Sequence, residues 1–110
     1  MVSRDAANGK TVLEDQIFSG RVLFKDSGLE MEDNASDRLE ITKDHPLSMI
    51  TECQRTASIG RGDWQTRIEI KSRMTSDEMN FYLENHLEAY ENDHVFFQKS
   101  WETSVPRRFV

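Results

Sequence analysis

The alternation of side chains between Trp64 and Met74 limits the possible folds of this chain more than any other feature. The apolar or small set is Trp64, Thr66, Ile68, Ile70, Ser72 and Met74, and the long polar set between them is Gln65, Arg67, Glu69, Lys71 and Arg73. Successive side chains of a strand point to opposite faces of a sheet, so a period of two predicts a half-buried β-strand here.

The segments on both sides fit this strand as antiparallel partners. Folding the chain back at residues 60–63 pairs Ile59 with Trp64 and keeps apolar side chains on one face. Folding it at the next polar turn, with Met74 opposite Met79, has the same result. A shift of one residue would turn every apolar side chain to water, so agreement in two hairpins favours an antiparallel sheet.

The last hairpin completes a meander. We expect it to turn at residues 92–94, because the polar run there separates two apolar segments. The register that matches its faces places Phe97 opposite Ala89, Trp101 opposite Asn85 and Phe96 opposite Tyr90. The sequence therefore predicts a four-stranded antiparallel meander over about residues 47–104.

One segment of the meander allows a second interpretation. Residues 75–78 spell a helix capping box, and Met79, Leu83 and Leu87 after it would form a helical stripe. The cross-strand agreement on both sides favours a strand.

The whole chain is predicted to be an all-β protein with one domain. Residues 1–9 are expected to be a flexible arm and residues 10–110 a single β domain, either a small sandwich or an open barrel. Before residue 44 the apolar bursts are short, which predicts short strands with a turn at Asp26-Ser27-Gly28. Residues 33–37 are expected to be an exposed loop.

Composition narrows the classes of function. The net charge of −6 argues against a nucleic-acid partner, which usually meets a basic surface. No apolar run approaches the roughly 20 residues that span a bilayer, so no membrane partner is expected. The single cysteine, Cys53, and a start without an apolar segment predict a cytoplasmic location.

The chain offers little for catalysis or for metal binding. Its histidines, His45, His86 and His94, lie at no metal-ligand spacing, so neither a metal nor another cofactor is expected. There is no Gly-x-Ser-x-Gly motif. Cys53 is expected to face inward from mid-strand, where a thiol is usually an inert small hydrophobe. No catalytic residue is predicted.

Two groups of residues stand out against this background. Polar side chains at inward positions line a wet ligand pocket, pack on a polar partner surface or reach solvent at the ends of the sheet: Arg55, Thr66, Ser72, Asn85 and Lys99. Aromatic side chains at outward positions predict an interface: Tyr82, Tyr90 and Phe96. The core is expected to bury Trp64, Ile68, Ile70, Leu83, Leu87 and Phe97.

The second half of the chain resembles the C-terminal end of CocE/NonD-type hydrolases, the relatives of X-prolyl dipeptidyl-peptidases and cocaine esterase. The residues that carry the resemblance are Asp44-His45-Pro46-Leu47-Ser48, residues 59–69, Phe81-Tyr82-Leu83, residues 87–91, Trp101 and Val105-Pro106-Arg107. Two places differ from the family pattern. Arg107-Arg108 replaces an arginine–acid pair, and Asn92-Asp93 replaces a turn that contains glycine.

In that family an α/β-hydrolase domain carries a Ser-His-Asp triad and a β-rich domain follows it. The resemblance implies that this chain corresponds to the β-rich part, with no counterpart of the triad. The first hypothesis is therefore a non-catalytic accessory domain whose partner is a catalytic α/β-hydrolase domain or a second copy in a homodimer. A free-standing binder of a small ligand is the alternative, and an enzyme in its own right is the third hypothesis.

Overall fold

A computed structural model describes residues 2–5 and 9–108 of the chain. These residues form seven strands and no helix. No helix that could cross a membrane is therefore found among them. The strands are β1 Val2–Asp5, β2 Lys10–Phe24, β3 Leu29–Thr42, β4 His45–Arg61, β5 Trp64–Ser76, β6 Asn80–Glu91 and β7 His94–Pro106.

The seven strands make one sheet in the order of the sequence, and every neighbouring pair is antiparallel. This confirms the predicted all-β antiparallel meander. The sheet does not close into a barrel. No second sheet covers it within the described residues, so the architecture is a single open layer and not a sandwich.

Tight turns join the central strands and explain their strong pairing. Gly62 has φ 59° and begins a two-residue turn between Arg61 and Trp64, a position that favours glycine. Asn92 and Asp93 both have positive φ, 48° and 66°, as a type I′ turn requires. The turn expected at residues 92–94 is thus confirmed at its first two residues.

The predicted faces of the central strands are correct, but two predicted registers are wrong. Ile59 pairs with Thr66 instead of Trp64, a shift of two residues. Met74 pairs with Leu83 instead of Met79, a shift of four, because the chain turns at residues 77–79. Even shifts keep each side chain on its face.

In the last hairpin two of the three predicted pairs are confirmed. Phe97 lies opposite Ala89, and Trp101 lies opposite Asn85. The third pair is wrong. Tyr90 lies opposite Val95, because a shift in the β6–β7 ladder leaves Phe96 as an extra residue of β7.

The first half of the chain contains long strands where short ones were predicted. Residues 33–37 lie inside β3, where residues 34–37 pair on both sides and Asp33 pairs with β4, so the expected loop is wrong. The turn at Asp26-Ser27-Gly28 is confirmed, with Gly28 at φ 73°. Val2–Asp5, part of the expected arm, pairs as β1 with β2, whereas residues 6–8 lie outside the described residues.

The register divides the side chains between two faces. We call one the apolar face, and its exposed large members are Val2, Leu13, Ile17, Val22, Phe24, Met31, Leu39, Ile41, Trp64, Ile68, Phe97, Trp101 and Val105. The other is the polar face, with Glu14, Arg38, Glu52, Arg67, Glu69, Lys71, Arg73, His86 and Glu88 among its members.

The sheet lacks the core that was predicted. Among the described residues Ala89, 8% exposed, is the only buried apolar side chain. Trp64, Ile68 and Phe97 were expected to be buried and are exposed, while Ile70, Leu83 and Leu87 are half-buried. The prediction fails because the sheet is a single layer. Each side chain of the apolar face contacts its neighbours within the sheet, and no second layer of described residues lies over its outer end.

Candidate docking surface

The apolar face is built by the alternation of the central strands. Ile68 lies between Ala57 of β4 and Ala89 of β6, and Phe97 of β7 continues the same row. Small neighbours leave Ile68 44% exposed. The face is therefore a broad apolar surface open to solvent, of the kind that marks interaction sites in soluble proteins.

A band of polar residues crosses the middle of this face. Its two adjacent rows contain four of the five predicted pocket residues. Arg55 lies in one row with Ile70, Leu87 and Lys99, and Ser72 and Asn85 lie in the next row with Cys53 and Trp101. The fifth residue, Thr66, lies two rows from Arg55 and donates to the carbonyl of Ile59 at 2.7 Å.

Most members of the band have partners within the chain. The Arg55 guanidinium donates two hydrogen bonds, of 3.0 and 2.5 Å, to the two carboxylate oxygens of Asp33. This contact lowers the pKa of the Asp33 carboxyl. The Ser72 hydroxyl donates to Asn85 Oδ1 at 2.7 Å. The exposed Lys99 ammonium lies 5.7 Å from the ring centre of Trp101.

Four of the five residues line two separate cavities. Ser72 and Asn85 share one of about 340 Å³. Arg55 and Thr66 share another of about 480 Å³, which has an apolar wall formed by Val22, Phe24, Met31, Ala57, Ile59 and Ile68. The structure thus divides the predicted pocket: Ser72 and Asn85 bond to each other elsewhere, and Lys99 lies on the edge strand.

Asp15 and Asp37 form an acidic pair at one side of the apolar face. They are direct cross-strand partners in β2 and β3, and both are exposed. Like charges in this position are destabilising.

Burial, with the neighbouring Asp37 carboxylate, raises the pKa of the Cys53 thiol, which keeps it protonated and a poor nucleophile.

Ion pairs between neighbouring strands organise the polar face. Arg38 reaches Glu14 at 3.2 Å and Glu40 at 3.4 Å. Arg73 reaches Glu52 at 3.6 Å in the next pair of strands. Exposed pairs of this kind stabilise a fold weakly and keep the surface hydrated. Apart from the exposed Phe18 and Leu23 of β2, the polar face is therefore suited to water, in contrast to the apolar face.

The polar face also carries a network that resembles a nucleophilic triad in its connections. His86 Nδ1 lies 2.5 Å from Ser100 Oγ, and Nε2 lies 2.8 Å from Glu88 Oε1. The carboxylate only accepts, so Nε2 carries the proton and Nδ1 accepts from the hydroxyl. Hydrogen bonding to His86 and Tyr90 lowers the pKa of Glu88.

This network lacks the setting that nucleophilic catalysis requires. Ser100 is exposed in the middle of a regular strand, with none of the strained backbone that presents a nucleophile. Glu88 also accepts from the Tyr90 hydroxyl, which continues the ladder of side-chain contacts across the face. The geometry is that of a surface hydrogen-bond network.

The predicted interface aromatics have varied surroundings. The Tyr82 hydroxyl donates to Asp77 at 2.5 Å, and the Arg67 guanidinium stacks 4.1 Å from the ring centre of Tyr90. Phe96 is exposed beside the shift in the ladder. The two tyrosines thus belong to the hydrated polar face, and the larger apolar surface lies on the opposite side of the sheet.

The opposed acids Asp15 and Asp37 were not predicted from the sequence, because residues 33–37 were expected to form a loop. Leu13 and Ile17 are four residues apart and fall on one face of a strand, with Asp15 between them on the same face, and this spacing was the available signal. No three His, Cys, Asp or Glu side chains in the described part of the chain are grouped to hold a metal ion.

Comparisons with protein-family models, curated proteins and solved structures find no match.

Proposed function

We propose that this chain is a non-catalytic interaction domain whose apolar face packs against a layer of secondary structure in a partner domain or chain. The observation that carries the proposal is an open single sheet with one apolar and one ion-paired face. Stable domains bury an apolar face between two packed layers. This chain supplies one layer, and a partner supplies the other.

The dimensions support a missing layer. The chain exposes 8401 Å². A compact monomer of this mass exposes roughly 6,300 Å², so the excess is roughly 2,100 Å². The radius of gyration is 18.1 Å, against roughly 13 Å for a compact domain of this length. A standard stable interface takes roughly 800 Å² from each partner, so the excess is sufficient for one.

The proposal includes two partners. The resemblance of residues 44–107 to CocE/NonD-type hydrolases favours a catalytic α/β-hydrolase domain as one, and a second copy of the chain is the other. A cytoplasmic location, expected from the single cysteine, belongs to the same proposal. The chain itself contributes packing and no catalytic group.

The test compares two neighbouring residues on opposite faces. Ile70→Glu places a charge on the apolar face, and Lys71→Glu changes a charge on the polar face. We expect Ile70→Glu to lower the sedimentation coefficient of the assembled protein and to increase binding of the dye ANS, while Lys71→Glu changes neither. A folded monomer that binds no ANS, with both variants behaving alike, would overturn the proposal.

The cavity that joins Arg55 and Thr66 supports a second candidate function, the binding of a small apolar ligand. Its volume of about 480 Å³ lies in the range of small-molecule sites. If this function holds, a fatty acid should bind to the monomer, and Ile59→Trp should abolish the binding by filling the wall. Absence of binding to a folded monomer would exclude this candidate.

A further inference from the structure

We infer that the layer on the apolar face is a second copy of this chain, placed face to face with a twofold axis parallel to the strands. The inference rests on the proposed function and adds the identity and the orientation of the partner. It is carried by three charged residues of the apolar face, Asp15, Asp37 and Lys99, which form no ion pair with a described residue of their own sheet and match each other between two sheets.

Two of the negative charges of the apolar face lie together at one side, and Glu91 of β6 lies in the Thr66 row near the other side. Asp15 and Asp37 oppose each other directly, and neither forms an ion pair with another described residue. Two directly facing carboxylates destabilise the pairing of their strands. A cation from a covering layer would reverse this effect.

The matching positive charge lies at the other side. Lys99 of β7 also has no ion-pair partner among the described residues, and its row is adjacent to the row of Asp15 and Asp37. Five strand spacings separate β2 from β7, roughly 24 Å along the sheet. Within one chain, Lys99 and these acids do not meet.

Symmetry brings them together in one orientation only. The twofold axis runs parallel to the strands, midway between the two facing sheets. It places β2 over the partner's β7, and each row of residues lies over the same row of the partner. Lys99 then lies within one row of the partner's Asp15, at a separation between sheets of roughly 10 Å that a lysine side chain spans in large part. An axis perpendicular to the strands instead lays each strand over its own copy, so that Lys99 does not reach the partner's Asp15, and acid faces acid where the axis passes at the height of their row.

The same orientation also matches apolar groups. It places Leu39 over the partner's Leu83 and Ala35 over the partner's Leu87, since β3 then covers the partner's β6. Two sheets aligned in this way form a sandwich. The interface is isologous, so a closed dimer results.

The test uses cross-linking between chains. Asp15→Cys and Lys99→Cys are prepared as separate proteins, both with Cys53→Ser, and treated with a short bis-maleimide alone and as a mixture. We expect cross-linked dimers in the mixture and none with either protein alone. Cross-linking of each protein with itself would show the perpendicular axis and overturn the inference.

A charge reversal provides a second readout that does not need new cysteines. Lys99→Glu should weaken the dimer roughly tenfold, and Lys99→Glu combined with Asp15→Lys should restore it. Lys71→Glu, on the polar face, is the matched control and should leave dimerisation unchanged. A dimer that ignores Lys99→Glu would contradict the proposed orientation.

The outcomes separate this inference from the proposed function. A chain that sediments as a folded monomer and binds ANS overturns the homodimer but leaves the apolar face as a docking surface for another protein. In that case an α/β-hydrolase domain becomes the partner to test. A folded monomer that binds no ANS overturns both.

Discussion

The cost of removing the Ile68 side chain measures directly whether the apolar face is covered. Full burial of an isoleucine stabilises a fold by roughly 1.5–3 kcal/mol. Ile68 is 44% exposed on the bare sheet. Ile68→Ala should therefore cost about 1 kcal/mol if nothing covers the face. Under a second layer the same change also leaves a cavity and should cost roughly 2–5 kcal/mol.

Urea unfolding at two protein concentrations distinguishes these cases. We expect the larger cost at a concentration where the chain is assembled and the smaller one after dilution to the monomer, because association adds to stability by mass action. Gln54→Ala, exposed on the polar face, is the control and should stay within roughly 0.5 kcal/mol at both concentrations. A cost near 1 kcal/mol at every concentration would refute the reasoning.

Three further predictions concern chemistry, pH and backbone. The chain should release no nitrophenol from p-nitrophenyl acetate above background, and a burst that disappears in Ser100→Ala or Cys53→Ala would contradict this. The Tyr82 hydroxyl, with two backbone N–H groups, holds the pKa of Asp77 below its ordinary value of 3.8. The stabilisation is present above that value and is lost as the pH falls through the folded pKa, so Tyr82→Phe should raise the pH of acid unfolding, measured by circular dichroism. Gly62→Ala, at φ 59°, should lower stability by roughly 1 kcal/mol in urea melts.

The sequence specified the faces of the central strands because alternation has a period of two. It did not specify the register, since shifts of two and four residues preserve the same faces. Local turn contacts decide between such registers. Asp77 Oδ1 accepts from the backbone N–H groups of Met79 and Asn80, each at 2.8 Å, and this moves the turn past the expected residues.

The errors in the first half of the chain have a different cause. Acidic and small residues at positions 33–37 are typical of loops, but here Asp33 is held by Arg55 and its N–H donates to Ser19 Oγ at 2.8 Å. Pairing with a strand on each side outweighs the local preference of these residues. The exposure of the expected core was not predictable for a related reason: alternation shows which side of a strand is apolar, and it does not show whether a second layer covers that side.

The most direct test of the missing layer is acrylamide quenching of tryptophan fluorescence. Both tryptophans of the chain, Trp64 and Trp101, lie on the apolar face, and they are 47% and 40% exposed on the bare sheet. If the face is covered, the assembled protein should emit at short wavelength and resist quenching, and dilution to the monomer should remove both effects. A folded, monodisperse protein whose tryptophans are quenched as strongly as the free amino acid at every concentration would contradict the account.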